Sequence, residues 1–267
     1  MRAKILLTCL AALLRLPSAF ASLPDDEAWL AQRFADLYAA VSDSARQRAN
    51  AAISERLSGT LTQDGAFDYP FASLTRMGKI MSDDATLRAF SWNYRQDNGT
   101  YGYECFFLWR KKGKERVYHL STNKGTKPDN NVQYNANDWY GSLYYSIFAI
   151  RGDYYLLGYS TCNDITKLKV IDVLSIRGDD MSLGAPVFGE GKKARLREVF
   201  EYSAKAQMTL TYDPDGNRFV FDHLSPSEPA LKGMYQFYGP DFSYESLTLK
   251  KKRWIRNDDI DIKNPLP

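Results

Sequence analysis

Residues 140–160, YGSLYYSIFAIRGDYYLLGYS, decide the fold class of this chain. Two runs rich in Tyr, Phe, Leu and Ile flank the short polar segment Arg151-Gly152-Asp153. Aromatic and β-branched residues favour strands, and a turn this short brings two strands together in antiparallel orientation. The stretch therefore predicts a β-hairpin.

The same pattern of short apolar runs and turns extends along the chain from about residue 73 onward. Turn-forming segments such as Asp97-Asn98-Gly99 and Arg177-Gly178-Asp179 separate the runs, and no helix long enough for a parallel crossover is predicted there. We therefore predict a mainly β protein, an antiparallel meander that forms a sandwich, a barrel or a propeller-like stack, because so wide a sheet rarely stays open. The predicted strands are Thr86–Trp92, Tyr101–Trp109, Arg116–Ser121, Tyr140–Ile150, Tyr154–Ser160, Lys167–Ile176, Arg197–Tyr202, Met208–Tyr212, Arg218–Asp222, Gly233–Phe237 and Ser243–Lys250.

Residues 24–57 predict a helical hairpin that packs on the β-rich body. Apolar residues recur there at three- and four-residue spacing, which places them on one helical face. Ser42-Asp43-Ser44 interrupts the pattern and is typical of a cap for a second helix. The predicted organisation is a signal peptide at 1–21, a helical hairpin at 22–60 and an antiparallel β domain at 61–267. The residues that define the two helical faces are Trp29, Leu30, Phe34, Leu37, Tyr38 and Val41, then Ala49, Ala52, Ile53 and Leu57.

The first 21 residues predict export from the cytoplasm. Arg2 and Lys4 precede the apolar run Ile5–Leu14, and Ala19-Phe20-Ala21 supplies the small-x-small pattern read by signal peptidase. The apolar run is too short to cross a bilayer as a helix, and no later run is long enough. We therefore expect a periplasmic, extracellular or cell-surface protein without a transmembrane segment.

The charge balance argues against nucleic-acid binding. The whole chain has 35 basic and 32 acidic residues, and the three basic residues of the leader account for the difference. A neutral mature chain lacks the overall excess of positive charge that is typical of proteins that neutralise phosphates.

Cys105 and Cys162 are the two cysteines outside the leader. An even pair in an oxidising compartment permits a disulfide, for which two buried free thiols are the alternative. We expect the Cys105–Cys162 bond and leave the alternative open.

The sequence predicts no cofactor and no metal site. Residues 189–194 match G-x-G-x-x-A, but no strand–helix–strand unit surrounds them, as a dinucleotide site requires. Asp213, Asp215 and Asn217 resemble the start of a calcium loop, yet the segment lacks the later ligands and is also a good turn. The segment Asp222–Ser225 contains the three residue types of a catalytic triad, but neighbours on a strand point to opposite faces.

The candidate ligand site lies at the long polar loop Thr122–Asp138. Loops of this length are usually functional or mobile, and the Asn side chains in this one suit sugar hydroxyls. Trp139, Tyr140 and Tyr134 could supply stacking faces for a glycan or another envelope component. The alternative is that these rings are core residues and that Trp139 starts a buried strand.

Several segments resemble a family of secreted Bacteroidota-type bacterial proteins of unknown function. The resemblance covers most of the mature chain and implies a periplasmic or surface-exposed bacterial protein. It transfers no catalytic residue to this sequence. The segments are 67–71 (FDYPF), 139–145 (WYGSLYY), 154–158 (YYLLG), 184–188 (GAPVF), 201–206 (EYSAKA), 221–226 (FDHLSP) and 235–244 (YQFYGPDFSY).

These observations predict an exported bacterial envelope protein of unknown function that is a binding or structural module and not an enzyme. The alternative is a glycan-directed hydrolase with paired carboxylates as acid and base. A concave pocket with two facing carboxyl groups about 5–10 Å apart would favour the hydrolase. An aromatic-lined groove without them would favour binding.

Overall fold

The computed structural model describes residues 22–161, 163–191 and 194–258. The predicted leader and Cys162 lie outside these residues. The described part of the chain starts with two helices and continues with thirteen strands, and the short 3-10 helices Pro229–Leu231 and Tyr235–Phe237 precede the last two strands. The elements are α1 (Leu23–Ala39), α2 (Asp43–Thr60), β1 (Gly78–Met81), β2 (Leu87–Arg95), β3 (Tyr101–Lys111), β4 (Lys114–Thr122), β5 (Leu143–Ile150), β6 (Asp153–Ser160), β7 (Thr166–Arg177), β8 (Asp180–Leu183), β9 (Glu198–Ser203), β10 (Leu210–Asp213), β11 (Arg218–Pro226), β12 (Tyr238–Lys250) and β13 (Arg253–Asn257).

The two helices begin at serine caps. Ser22 and Asp25 form a capping box at the start of α1, in which each side chain accepts a hydrogen bond from the other residue's backbone N–H. The Ser42 hydroxyl accepts from the backbone N–H of Ala45 at the start of α2. Both caps satisfy backbone donors that a helix start leaves without partners. The interruption predicted at 42–44 is thus the start of the second helix.

The strands form three antiparallel sheets, each a meander in sequence order. Sheet A contains β1–β4, sheet B contains β5–β8 with β9 paired to β7, and sheet C contains β10–β13. All pairings between these strands are antiparallel. Within the described residues the sheets stay separate and none closes into a barrel. The predicted mainly antiparallel β fold with an N-terminal helical hairpin is confirmed.

Three apolar clusters join the hairpin and the sheets into four successive layers. Because side chains alternate along a strand, sheet A contributes Phe90 and Phe106 to the cluster with the helices, and Tyr103 and Phe107 to the cluster with sheet B. Sheet B alternates in the same way and packs its other face on sheet C, around Trp254. The order of layers is therefore helical hairpin, sheet A, sheet B, sheet C.

Most hairpin turns of the three sheets lie at one end of these layers, whereas the β2–β3 turn at 96–100 lies at the other end. Two hydrogen bonds between sheets establish this: Arg116 donates to the carbonyl of Gly178, and Arg151 donates to the carbonyl of Lys251. We call this end the turn end; it is formed by residues 82–86, 110–116, 150–153, 177–180, 213–218 and 250–253. The longer connections lie at the opposite ends of the strands. No helix among the described residues is long and apolar enough to cross a lipid bilayer.

Sequence analysis was wrong for one strand and missed three others. Residues 233–237 were predicted as a strand, but Tyr235–Phe237 is a 3-10 helix that contacts β9. The missed strands β1, β8 and β13 are four or five residues long and lie at sheet edges. Strands this short carry too few alternating residues to produce a clear pattern.

Candidate functional site

Two of the three predicted ligand-binding aromatics, Trp139 and Tyr140, are buried, and Tyr134 is half-buried and packs against the same cluster. Trp139 and Tyr140 are 3% and 2% exposed and belong to the cluster between sheets A and B. The Trp139 indole N–H donates to the Tyr144 hydroxyl at 3.1 Å. Tyr134 pairs its backbone with Leu183, with N···O distances of 3.0 and 2.8 Å. A buried ring offers no free face to a sugar, so the geometry favours the core-packing alternative.

A buried ion pair holds the long loop against sheet B. Asp172 of β7 and Arg197 are both fully buried, with the Arg197 Nε 3.1 Å from an Asp172 carboxylate oxygen. The Tyr140 hydroxyl donates to the same oxygen at 2.8 Å. Burial raises the pKa of Asp172, against the opposing effect of the Arg197 charge and the hydrogen bonds. The site is a structural centre that connects three segments of chain.

Arg197 also donates hydrogen bonds to backbone carbonyls of the loop and of β8. Its guanidinium donates to the carbonyls of Asp129, Val132 and Leu183, and lies 4.6 Å from the centre of the Tyr134 ring. Carbonyl groups in a loop without regular structure need such donors when they are buried. Arg197 therefore anchors the 122–138 loop to the interior of the protein.

His119 belongs to a chain of hydrogen bonds between α2 and sheet A. Its Nε2 lies 2.5 Å from a carboxylate oxygen of Glu104, and its ring stacks on Phe106 with centroids 4.0 Å apart. The other oxygen of Glu104 accepts from the Asn50 amide at 2.6 Å, and Asn50 accepts from the Trp92 indole at 2.8 Å. These contacts give His119 a structural role in holding the helical hairpin.

His223 does not form a triad with its sequence neighbours. Its Nδ1 lies 2.7 Å from Asp241, whereas Asp222 accepts from the backbone N–H of Thr209 at 2.6 Å. Burial opposes ionisation of Asp241, but hydrogen bonds from Ser243 and His223 outweigh it and lower its pKa to about 2. Asp241 is therefore a carboxylate near neutral pH, and it braces a bulge in β12.

The bulge in β12 presents Phe242 to solvent. Asp222 pairs with Tyr244 and Leu224 with Pro240, so three residues of β12 lie opposite His223 alone. Phe242 is the middle residue of the three, has φ +70° and is 96% exposed. A left-handed backbone is unfavourable for a residue with a Cβ, and full exposure gives the ring no packing. Asp241 accepts from the Ser243 hydroxyl at 2.7 Å, which fixes this conformation.

Phe242 belongs to an exposed apolar segment, which we call the apolar insert and define as residues 227–243. Four of the nine exposed large apolar side chains among the described residues lie in it. The insert contains both 3-10 helices and also lines a cleft of about 360 Å³ beside Ser203 and Lys205. The four side chains are Met234, Tyr235, Phe237 and Phe242.

A larger cleft of about 1080 Å³ lies at the open end of the helical hairpin and contains one buried carboxylate. That carboxylate, Asp26, is 2% exposed and accepts hydrogen bonds from Arg56, Thr60 and Gln63 at 2.6, 2.9 and 2.6 Å. Trp29 lines the same cleft with two guanidinium groups each 5.5 Å from its ring centre. Asp26 thus connects the two helices through its hydrogen bonds.

The remaining sequence motifs have structural explanations where the structure describes them. The Asp213 carboxylate accepts from the backbone N–H of Gly216 at 3.0 Å and from Arg218 at 2.8 Å, which stabilises the β10–β11 turn. No group of three or more His, Cys, Asp or Glu side chains in the described residues could hold a metal ion. Part of the 189–194 motif, Lys192 and Lys193, lies outside the described residues.

Cys105 lies on β3 with its side chain fully buried in the cluster between sheets A and B. Burial raises the pKa of its thiol well above the ordinary value, so a thiol at this position is unreactive. The structure has Cys105 as a free cysteine. Its predicted partner, Cys162, lies outside the described residues, and the disulfide stays a prediction.

No family model, curated protein or solved structure matches this chain. The resemblance to secreted Bacteroidota-type proteins therefore stays a prediction. We therefore infer a function from the geometry of the chain alone.

Phe242 is the candidate functional residue that sequence analysis missed. The predicted strand began at Ser243, one residue too late to include it. Gly239 and Pro240 inside an otherwise strand-like run are a signal for a bulge, because both residues weaken regular pairing. That signal would have indicated an irregular strand, although not the exposure of the ring.

Proposed function

We propose that this chain is an exported bacterial envelope protein that acts by binding another envelope protein and not by catalysis. Phe242 is its principal docking side chain, and an apolar pocket on the partner receives it. The single observation that carries the proposal is a fully exposed phenylalanine on a left-handed backbone. The Asp241–His223–Ser243 contacts hold it there in advance of binding.

The free protein carries an energetic cost at Phe242 that burial in a complex would offset. In the free protein the Phe242 ring has no buried contacts, and its backbone conformation costs roughly 1–2 kcal/mol. Burying a phenylalanine side chain in a partner returns about 1.5–3 kcal/mol. A fixed ring also loses little conformational freedom on binding, as is typical of anchor residues at interfaces. The conformation therefore favours binding at the expense of folding.

The geometry gives less support to a glycan-directed hydrolase. Such an enzyme needs one carboxyl group free to donate a proton and a second facing it across the substrate. In the cleft at the open end of the helical hairpin, the buried carboxylate of Asp26 already accepts three side-chain hydrogen bonds. Glu55 and Asp64 also line this cleft, but both are exposed to solvent.

Replacing Phe242 with glycine tests the proposal. Glycine adopts a positive φ without strain, so we expect the free energy of unfolding to stay unchanged or to rise by up to about 1 kcal/mol in urea titrations. In envelope extracts of the native bacterium, the variant should elute as a monomer where the wild-type protein elutes in a larger complex. Val41, which is 91% exposed and lies between the helices, gives a matched control through Val41→Gly.

Two results would contradict this role. A loss of more than about 2 kcal/mol in Phe242→Gly would mean that the ring stabilises the fold. An unchanged elution position for Phe242→Gly would mean that the ring does not hold a partner.

Export has its own test. We expect the mature protein to begin at Ser22, the residue that caps α1, when the full chain is expressed in a bacterium. N-terminal sequencing of the periplasmic or secreted product measures this directly. Recovery of a soluble cytoplasmic protein that retains Met1 would contradict it.

A further inference from the structure

The turn end carries an excess of positive charge that the whole chain does not have. Its six segments contain twelve basic and eight acidic residues, although the chain outside the predicted leader is neutral. Six lysines at this end are exposed and form no ion pair within the described residues. They are Lys111, Lys112 and Lys114 at the β3–β4 turn and Lys250, Lys251 and Lys252 at the β12–β13 turn.

Four of the eight acidic groups at the turn end are paired with arginines. Arg116 pairs with Asp179, and Arg177 pairs with Asp153 at 2.7 Å. Asp213 and Glu115 likewise pair with arginines, each at 2.8 Å. No carboxylate among the described residues forms an ion pair with any of the six lysines, so this end keeps an excess of positive charge.

Three neighbouring turns place a basic residue where its backbone is strained. Lys112, Arg151 and Lys251 have φ values of +51°, +55° and +59°. Asn, Asp and Gly are the usual residues at positive φ in hairpin turns, because other side chains pay a steric cost there. The same departure in three turns at one end indicates that the charges are used for something other than folding.

We propose that the turn end is a docking surface for the phosphate headgroups of an anionic lipid bilayer. The lysines project from turns at the ends of strands, and none of them lines the clefts at the hairpin, at the apolar insert or beside Tyr144. A convex basic surface suits a planar array of phosphates better than a single ligand that needs a pocket. None of the large exposed apolar side chains lies in the six segments, so the contact is electrostatic and peripheral.

This surface is separate from the apolar insert. β12 connects the two, with Lys250 at the turn end and Phe242 eight positions earlier along the strand. At about 3.3 Å per residue, the two sites are roughly 26 Å apart. A protein docked on a bilayer by its turns would present Phe242 away from the turn end. The inference does not depend on the proposed protein partner.

Co-sedimentation with vesicles tests the inference. The purified protein should pellet with vesicles of phosphatidylcholine mixed with phosphatidylglycerol, and not with phosphatidylcholine alone. Added salt should release it, because screening shortens the range of charge interactions to a few ångströms at about 1 M. Equal binding to both vesicle types, or binding that salt does not weaken, would overturn the proposal.

Charge-reversal variants locate the surface. Lys111→Glu/Lys112→Glu/Lys114→Glu and Lys250→Glu/Lys251→Glu/Lys252→Glu should each reduce vesicle binding at least tenfold. The matched control Lys124→Glu/Lys205→Glu/Lys232→Glu makes the same change in charge at exposed lysines outside the turn end and should bind as the wild type does. Equal losses in all three variants would mean that net charge, and not this surface, controls binding.

A milder variant guards against misfolding. Lys112→Asn/Lys251→Asn removes two charges and places a residue suited to positive φ in both turns. We expect a higher melting temperature together with at least threefold weaker vesicle binding.

Competition with inorganic polyphosphate distinguishes a bilayer from a soluble polyanion. If polyphosphate binds the protein tightly while anionic vesicles do not bind, the surface recognises a soluble polyanion and the bilayer proposal is wrong.

Discussion

Replacement of Arg197 by methionine is expected to lower the free energy of unfolding by about 3–5 kcal/mol, because it leaves the Asp172 carboxylate buried without its charge partner. It also removes the donor to three carbonyl groups, including those that anchor the 122–138 loop. Urea denaturation at neutral pH measures the loss. Arg33→Met is the matched control, since the Arg33–Asp36 pair is on the surface of α1 and contributes little.

The pH dependence of the Arg197→Met variant provides a second measurement. Burial already raises the pKa of Asp172, and loss of the guanidinium should raise it further. The folded variant then binds a proton that the unfolded chain releases, so its free energy of unfolding should increase as the pH falls from 7 towards about 4. The double variant Arg197→Met/Asp172→Asn should recover part of the loss at pH 7. A single variant as stable as the wild type at pH 7 would contradict the anchor role.

Replacement of Trp139 by alanine should have an effect of similar size. The ring is 3% exposed between sheets A and B, so its removal leaves a cavity and should cost about 3–5 kcal/mol. The same change also separates the two hypotheses for this residue. A surface stacking role would leave the melting temperature nearly unchanged and remove glycan binding in a glycan array.

Trp139→Phe is the matched control for the cavity. It keeps an aromatic ring and should cost much less than Trp139→Ala, although it loses the hydrogen bond to the Tyr144 hydroxyl. A melting temperature that is unaffected by Trp139→Ala would show that the packing account of this loop is wrong.

The fold class could be predicted from sequence because each layer follows a simple periodicity. The change from helical spacing in 24–57 to alternation in strands such as Tyr101–Trp109 reflects which faces are buried. The short turns between consecutive strands then require that these strands pair in antiparallel orientation. The separation into three sheets could not be predicted, because it depends on long-range contacts such as those of Arg116 with the β7–β8 turn.

The site residues were harder to predict because the burial of a side chain depends on contacts with residues that are distant in the sequence. Trp139 and Tyr140 follow a polar loop, and composition alone does not show that Arg197, far along the chain, draws that loop inward. For Phe242 the difference between sequence and structure is the reverse, because the ring is exposed. Its apolar character suggests a core residue, and only the offset pairing of β11 with β12 turns it out to solvent. The local sequence pattern indicates neither the burial of Trp139 and Tyr140 nor the exposure of Phe242.

Photocrosslinking from position 242 tests the central claim most directly. A photoreactive phenylalanine derivative is placed at Phe242 or, as the control, at Val41, and each protein is expressed in its native bacterium and irradiated in intact cells. The account predicts one crosslinked envelope protein of a single mass from position 242 and none from position 41. Products of the same masses and yields from both positions would show that Phe242 has no specific partner and would contradict the account.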